Sequence, residues 1–344
     1  MSKNIIVITG GAGFVGSNLI LHFLKNTKYK IISIDNYSSG TKEKHIKDKR
    51  IKYIHNDTKN ISIILKKQKK KIHSVFHFGE FARIYQSFNK MDECIESNSI
   101  GSHAVFNFCL INKIRLIYSA TSASLGNYGR DKDLSPYAFT KSKNLELLEN
   151  LKKWFKFRYE VIYFYNVYGP GQIEKGDMAT VIGIFENLYK KNKPLTVVKP
   201  GTQTRRFTHI SDTINVCFVA WKNNRCRHYS ISNKKSYSVK QIAQMFKSKI
   251  TYLPSRAGER YASALANMSL TNRVYKYFGK MDIKDYISDF LQRHHSKVKK
   301  YKFIVYNNFF LGINQSPGDY CEGVIPDPIP NSEVKPFCAD GTLS

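Results

Sequence analysis

The chain has 344 residues, is 42% hydrophobic, and sets 55 Lys and Arg against 26 Asp and Glu, a formal charge of +29. That length is enough for one large domain or two coupled ones, and no apolar run reaches the roughly eighteen residues of a membrane span. The six Cys have no paired C-x-x-C spacing, which argues against a zinc site and for free thiols in a reducing, cytoplasmic compartment.

The first residues run straight into a strand and a turn with no cleavage-site pattern behind them, so no signal peptide is expected. The Lys residues are scattered, with local runs at 66–71 and 297–300, and no nucleic-acid motif accompanies them. The charge therefore reads as solvated surface, with polyanion binding as the functional alternative.

Ile5 to Thr9 is a short apolar run, followed by Gly10-Gly11-Ala12-Gly13-Phe14-Val15-Gly16 and an amphipathic stretch from Ser17 to about Lys25. This is strand, Gly-rich turn and helix. The glycines at 10, 13 and 16 let backbone approach a pyrophosphate at the helix N-terminus. A second apolar run, 30–34, ends in Asp35, an acid suited to a ribose diol and repellent to a 2′-phosphate. The alternative is a tight turn that binds nothing.

Further strands are predicted at 51–55, ending in Asn56-Asp57, at 74–78, running into Gly79-Glu80, and at 115–120. Helices are predicted at 61–71 and 96–111. The alternation of strands and helices implies a parallel, doubly wound α/β sheet. Gly10, Asp35, Asp57, Gly79 and Thr121 all fall at strand carboxyl ends, where such sheets bind ligands.

Pro136 opens a helix predicted to run to about Lys156, since Pro suits a first turn. Tyr137 and Lys141 lie four apart and share a face. An ammonium beside a phenol favours the phenolate, and the hydroxyl of Thr121 is placed to meet them. Together they make a site for taking a proton from an alcohol, though an exposed amphipathic face would explain the spacing equally. Beyond a strand at 161–165 the rhythm loosens. Helices are predicted at 180–190, from about 211, at 239–246 and at 283–294, with a strand at 195–198. The expected organisation is 1–165 for dinucleotide and catalysis, 166–296 for substrate, and 297–344 as a basic, then Pro-rich tail.

The motifs from Thr9 to Leu19, Asp35-Asn36-Tyr37-Ser38-Ser39-Gly40, Val75-Phe76-His77-Phe78, Tyr137-x-x-x-Lys141 and Asn166-Val167-Tyr168-Gly169-Pro170-Gly171-Gln172 closely resemble the extended short-chain dehydrogenase/reductases. Among these the chain is most similar to nucleotide-sugar epimerases of the UDP-glucose 4-epimerase type, over roughly residues 4–295. The resemblance implies a Rossmann-type sheet with a smaller mixed α/β substrate part. It implies that Gly10, Gly13, Phe14, Val15 and Gly16 take the NAD pyrophosphate, Asp35 and Asn36 the adenosine ribose, and Asp57 and Thr58 the adenine. Phe78 and Gly79 would pass beneath the cofactor, with Asn98 supporting that wall. Tyr137 would be the base, Lys141 would hold the nicotinamide ribose, Thr121 would bond the reacting sugar hydroxyl, and Tyr165 would lie near the nicotinamide. Asn166, Arg205 and Arg256 would reach the substrate phosphates, for which guanidinium forks are well shaped.

Three positions depart from the family pattern. Glu80 stands where many relatives carry a small residue. It is expected near the active-site mouth, as a substrate-orienting group or accessory base, or simply paired with Arg83. Tyr163 replaces a common Arg, and Leu125 an aromatic before Gly126. Thr121 is followed by Ser122 and Ala123 where dehydratases of the family carry an acid, so the resemblance favours epimerisation, at C4 of a UDP-sugar. The alternatives are a dehydratase, a keto-sugar reductase using NAD(P)H, or a non-catalytic NAD- or polyanion-binding protein. The helices near 96–111 and 136–156 pair across a dimer axis in this family, so a homodimer is implied.

Overall fold

A computed structural model describes residues 3–122, 124, 132–255 and 274–295. The expected readings at Ala123, Leu125, Gly126 and Arg256, and the tail from 297, lie outside the described residues. So do Cys321 and Cys338, while Cys94, Cys109, Cys217 and Cys226 are free thiols.

Eight strands form one sheet: β1 (Ile5–Thr9), β2 (Lys30–Asp35), β3 (Ile51–His55), β4 (Ile72–His77), β5 (Arg115–Thr121), β6 (Tyr159–Phe164), β7 (His228–Ser232) and β8 (Val274–Phe278). Their order is β3-β2-β1-β4-β5-β6-β7-β8, and every neighbouring pair is parallel. This is the doubly wound arrangement the sequence implies. The chain leaves β1 in one direction and crosses back to β4 in the other, so the ends of β1 and β4 flank the switch point, where Thr9 pairs with His77.

Helices cover both faces. On one, α1 (Phe14–Asn26) and a helix at Ile210–Asn223 pack Leu19, Ile20, Phe23 and Ile214 onto Ile6, Ile8 and Phe76. On the other, α2 (Ser102–Ile111) and α3 (Pro136–Phe155) pack Val105, Phe106 and Leu148 onto Val7, Val75 and Leu116. Helix α3 starts where local chemistry dictates. The Ser135 side chain accepts from the Ala138 N–H, Pro136 takes a position whose N–H would be unpaired, and Lys156 closes the helix in the left-handed region at φ 57°.

A third apolar cluster, with Tyr168, Phe185, Leu195, Phe207, Phe246 and Ile287, gathers the later helices and the parallel pair Leu195–Val198 and Ile250–Leu253.

The predicted helix at 61–71 is not formed. Only Ile61–Ile64 is helical, and the chain then turns into a short 3₁₀ segment at Lys69–Lys71. Five lysines between 66 and 71 repel one another on a helix surface, and that stretch offers no apolar face to bury. The predicted helix at 96–111 opens with a π-helical turn, Glu96–Gly101, before α2. No helix among the described residues is long and apolar enough to cross a membrane.

Candidate active site

The turn after β1 is shaped by contacts that only glycine permits. Gly10 sits at φ +72°, and a Cβ on it would stand 2.8 Å from the Gly79 nitrogen. A Cβ on Gly16 would stand 2.1 Å from the Gly10 carbonyl oxygen. Gly13 caps α1 without offering a side chain, so the first-turn N–H groups around Phe14, Val15 and Gly16 receive no side-chain cap. The result is a backbone cradle with the positive end of a helix facing it. It fits a pyrophosphate.

Asp35 ends β2 and folds over this turn, accepting from the Ala12 and Tyr37 N–H groups at 2.8 Å each. Asn36 donates to Asp57 at 2.7 Å, which ties the ends of β2 and β3 together. Thr58 packs against Gly101, where a Cβ would lie 2.4 Å from its hydroxyl. The structure thus lines up the cradle, Asp35, Asn36, Asp57 and Thr58 along one edge of the strand ends.

The floor continues through Phe78 and Gly79, whose N–H groups both donate to the Thr9 hydroxyl, at 3.1 and 3.0 Å. Asn98, buried in the π-helical turn, accepts from the Phe81 N–H at 2.7 Å and donates to the Phe81 carbonyl at 3.0 Å. Irregular turns of this kind often sit at functional sites, and here the turn fixes the segment after β4.

Tyr137 and Lys141 follow one another along α3. Tyr137 is almost wholly buried, in a cluster with Phe81, Cys94 and Ala138. Thr121 closes β5, two residues beyond Ser119, whose carbonyl accepts from Lys141 Nζ at 2.6 Å. Tyr165 follows β6 and is buried, and Phe164 before it meets the Phe78 ring at 5.5 Å. The end of β5 therefore lies beside α3, and the end of β6 lies against the segment after β4.

Glu80 is a correction. It is neither at the mouth of the site nor paired with Arg83. Its side chain is 2% exposed and forms a salt bridge with Lys141, itself 4% exposed. Its other oxygen accepts from Ser102 at 2.8 Å, Tyr118 at 3.0 Å and Asn144 at 3.3 Å. Arg83 turns away and donates to the Ala82 and Met178 carbonyls.

The hydrogens of this network can be assigned. The Thr9 hydroxyl already accepts from two backbone N–H groups, so its proton goes to His77 Nδ1 at 2.8 Å. His77 Nε2–H then donates to Ser102 at 2.9 Å, and the Ser102 proton goes to Glu80. Neutral His77 is required, and burial holds its pKa down at about 4, with Lys141 adding to the effect and Glu80 opposing it. Burial, and then Glu80, keep the Tyr118 phenol protonated and a donor. A chain of hydrogen bonds thus runs from the Gly79 turn to the Lys141 ammonium. Sequence reasoning missed His77, Ser102, Tyr118 and Asn144. Asn144 carried a signal, since it lies three residues past Lys141 on a buried helix face.

On the substrate side, Asn166 lies in the left-handed region at φ 36° and donates to the Arg206 carbonyl at 3.0 Å. That brings it next to Arg205, which sits in a two-residue strand paired with Tyr237 and Ser238. Tyr163, at the position of the family's Arg, is buried and its hydroxyl meets His228 at 3.1 Å.

The sheet, the cradle at its switch point and the Tyr137–Lys141 pair define a Rossmann-type dinucleotide-binding enzyme fold. The chain belongs to the NAD dependent epimerase/dehydratase family, whose profile matches residues 6–232, and NAD is its cofactor. It is 28% identical over 259 residues to an ADP-L-glycero-D-manno-heptose-6-epimerase of Brachyspira hyodysenteriae, covering 70% of this chain and 80% of that one. Its fold is similar to that of a UDP-glucose 4-epimerase of Thermotoga maritima solved with UDP-glucose (TM-score 0.74, 20% identity, 86% and 99% of the two chains). It is likewise similar to a UDP-glucuronic acid 4-epimerase of Bacillus cereus solved with UDP-glucuronic acid and NAD (TM-score 0.72, 23% identity, 84% and 99%).

Proposed function

We propose that the chain inverts one carbon of a nucleotide-diphosphate sugar, C4 of a UDP-sugar, by transient oxidation to a keto-sugar. The observation that carries this reading is Lys141, four residues after Tyr137 on α3 and bonded to the Ser119 carbonyl, two residues before Thr121 on β5. Bound NAD supplies a hydride acceptor that can return what it takes. Gly10, Gly13, Phe14, Val15 and Gly16 hold the pyrophosphate, Asp35 with Asn36 the adenosine ribose, and Asp57 with Thr58 the adenine. Phe78, Gly79 and Asn98 form the wall beneath the cofactor, and Tyr165 closes it near the nicotinamide. Thr121 orients the sugar hydroxyl, and Tyr137 takes its proton and later gives it back. Lys141 keeps one N–H beyond Glu80 and Ser119 for the nicotinamide ribose. Asn166, Arg205 and Arg256 bind the diphosphate.

The similarity to an ADP-heptose epimerase supports a second reading of the substrate, in which the same machinery acts on an ADP-sugar. We assign the active form to a homodimer in a reducing cytoplasm. The dimer reading is supported by exposed Ile100, Ile111, Phe139, Trp154 and Phe155, which lie on or beside α2 and α3. The test is to denature the purified protein, identify the released nucleotide, and follow UDP-glucose, UDP-N-acetylglucosamine and an ADP-heptose by NMR. Released NAD with growth of one epimer signal is expected. Net consumption of a reduced cofactor would replace the reading by a reductase.

A further inference from the structure

Nothing in the proposed chemistry uses Glu80, yet four side chains of the site donate to this carboxylate. It is buried, it accepts from Ser102, Tyr118 and Asn144, and it is salt-bridged to Lys141. Four donors converge on its two oxygens, one of them the Lys141 ammonium. Lys141 is correspondingly constrained. One N–H goes to Glu80, a second to the Ser119 carbonyl at 2.6 Å, and the ammonium lies 4.7 Å from the centre of the Tyr118 ring. Asn144 ties the group to the π-helical turn by donating to the Asn98 carbonyl at 2.6 Å.

We propose that Glu80 is a positioning residue that fixes Lys141 and offsets its charge, so that Tyr137 works beside a neutral ion pair and not beside a lone cation. This rests on Tyr137 being the base, as proposed above. A lone ammonium would favour the phenolate more strongly than a paired one does. The other ionisable groups facing Tyr137, Lys141 and Glu80 are Cys94, His77, Tyr118 and Arg83. Burial keeps Cys94, His77 and Tyr118 uncharged at neutral pH, and Arg83 is a cation in every variant. The charge that changes on substitution is therefore that of residue 80. His77 and Ser102 orient the carboxylate from the Gly79 turn, so the cofactor wall and the lysine are held by one network.

The experiment is a titration of Tyr137 in the full-length chain loaded with NAD. It is read as tyrosinate absorbance with the Tyr137→Phe protein as blank. In Glu80→Gln the amide oxygen can still accept from Lys141 and the Ser102 and Tyr118 hydroxyls can turn to accept from the amide NH₂, while the long Asn144 bond is lost. Charge is lost while Lys141 keeps an acceptor at residue 80. The midpoint is expected to fall by roughly one pH unit relative to wild type. Glu80→Asp keeps a carboxylate in the core, withdraws it by one methylene, and moves the midpoint the same way by less. It decides the matter even if Glu80→Gln does not fold. Midpoints that coincide with wild type, or that rise, overturn the proposal, as does a wild-type difference spectrum with no titrating phenol. A shifted midpoint in a protein that turns over no nucleotide sugar leaves the role of Glu80 standing and removes the proposed reaction. Turnover with an unmoved midpoint does the reverse.

Discussion

The Glu80–Lys141 pair makes a stability prediction that can be worked through. Both side chains are almost wholly out of water, at 2% and 4% exposure. Lys141→Met leaves the carboxylate with three neutral donors and no cation. Glu80→Gln leaves the ammonium with a carbonyl and an aromatic face. Removing one partner of a buried pair costs about 3–5 kcal/mol, because an uncompensated charge stays behind. For a chain of this size that is a fall in melting temperature of about 4–7 °C. The double variant Glu80→Gln, Lys141→Met buries no charge and keeps the volumes close to native. It is expected within about 2 kcal/mol of wild type, and above both singles. The assay is urea unfolding followed by circular dichroism at neutral pH on NAD-free protein, since bound cofactor would add stability of its own. A double variant whose loss equals the sum of the single losses would refute the coupling. Single variants within about 0.5 kcal/mol of wild type would refute the burial.

Other consequences are equally specific. Gly16→Ala drives a methyl to 2.1 Å from the Gly10 carbonyl oxygen, so the turn must open. The purified variant should carry no NAD and melt below wild type, and NAD retained at wild-type stoichiometry would contradict the cradle. His77 is held near a pKa of about 4 against an ordinary 6.5, so below pH 6.5 the unfolded chain binds a proton that the folded chain refuses. Stability should therefore be intact above pH 6.5 and fall by about 3 kcal/mol as pH drops towards 4. His77→Gln should remove that part of the slope in urea midpoints taken across the range. Asn98→Ala strips the Phe81 carbonyl of its side-chain partner, leaves the Phe81 N–H with the Ser97 hydroxyl, and should cost about 1–3 kcal/mol in the same unfolding assay.

Much of this architecture is legible in the residues. The runs ending at Thr9, Asp35, His55 and Thr121 are strands because they are short, apolar and stopped by Gly, Asp or hydroxyl residues, and the Gly-rich turn sets the start of α1 behind β1. The strands His228–Ser232 and Val274–Phe278 were not legible. His, Ser and Lys interrupt them, and they become strands through pairing with β6 and with each other across long sequence separations. The π-helical turn at Glu96–Gly101 is invisible to a 3.6-residue period, because it inserts one residue into an otherwise regular helix. In the site, Tyr137 and Lys141 are readable from their spacing. Glu80 was misjudged because Arg83 is its neighbour in sequence, whereas the turn after β4 points the side chain inward to Lys141. A buried acid seeks a cation, and the partner lay 61 residues away on α3.

The central claim is that Tyr137 moves the proton of a sugar hydroxyl within a family built on NAD. Its most direct test is NMR of UDP-glucose incubated in parallel with wild-type protein and with Tyr137→Phe, each assayed for bound NAD. Wild type should bring the C4 epimer to equilibrium without consuming cofactor. The variant should keep its NAD and lose the rate by about 10²-fold or more. A variant that holds NAD and epimerises as fast as wild type would contradict the claim.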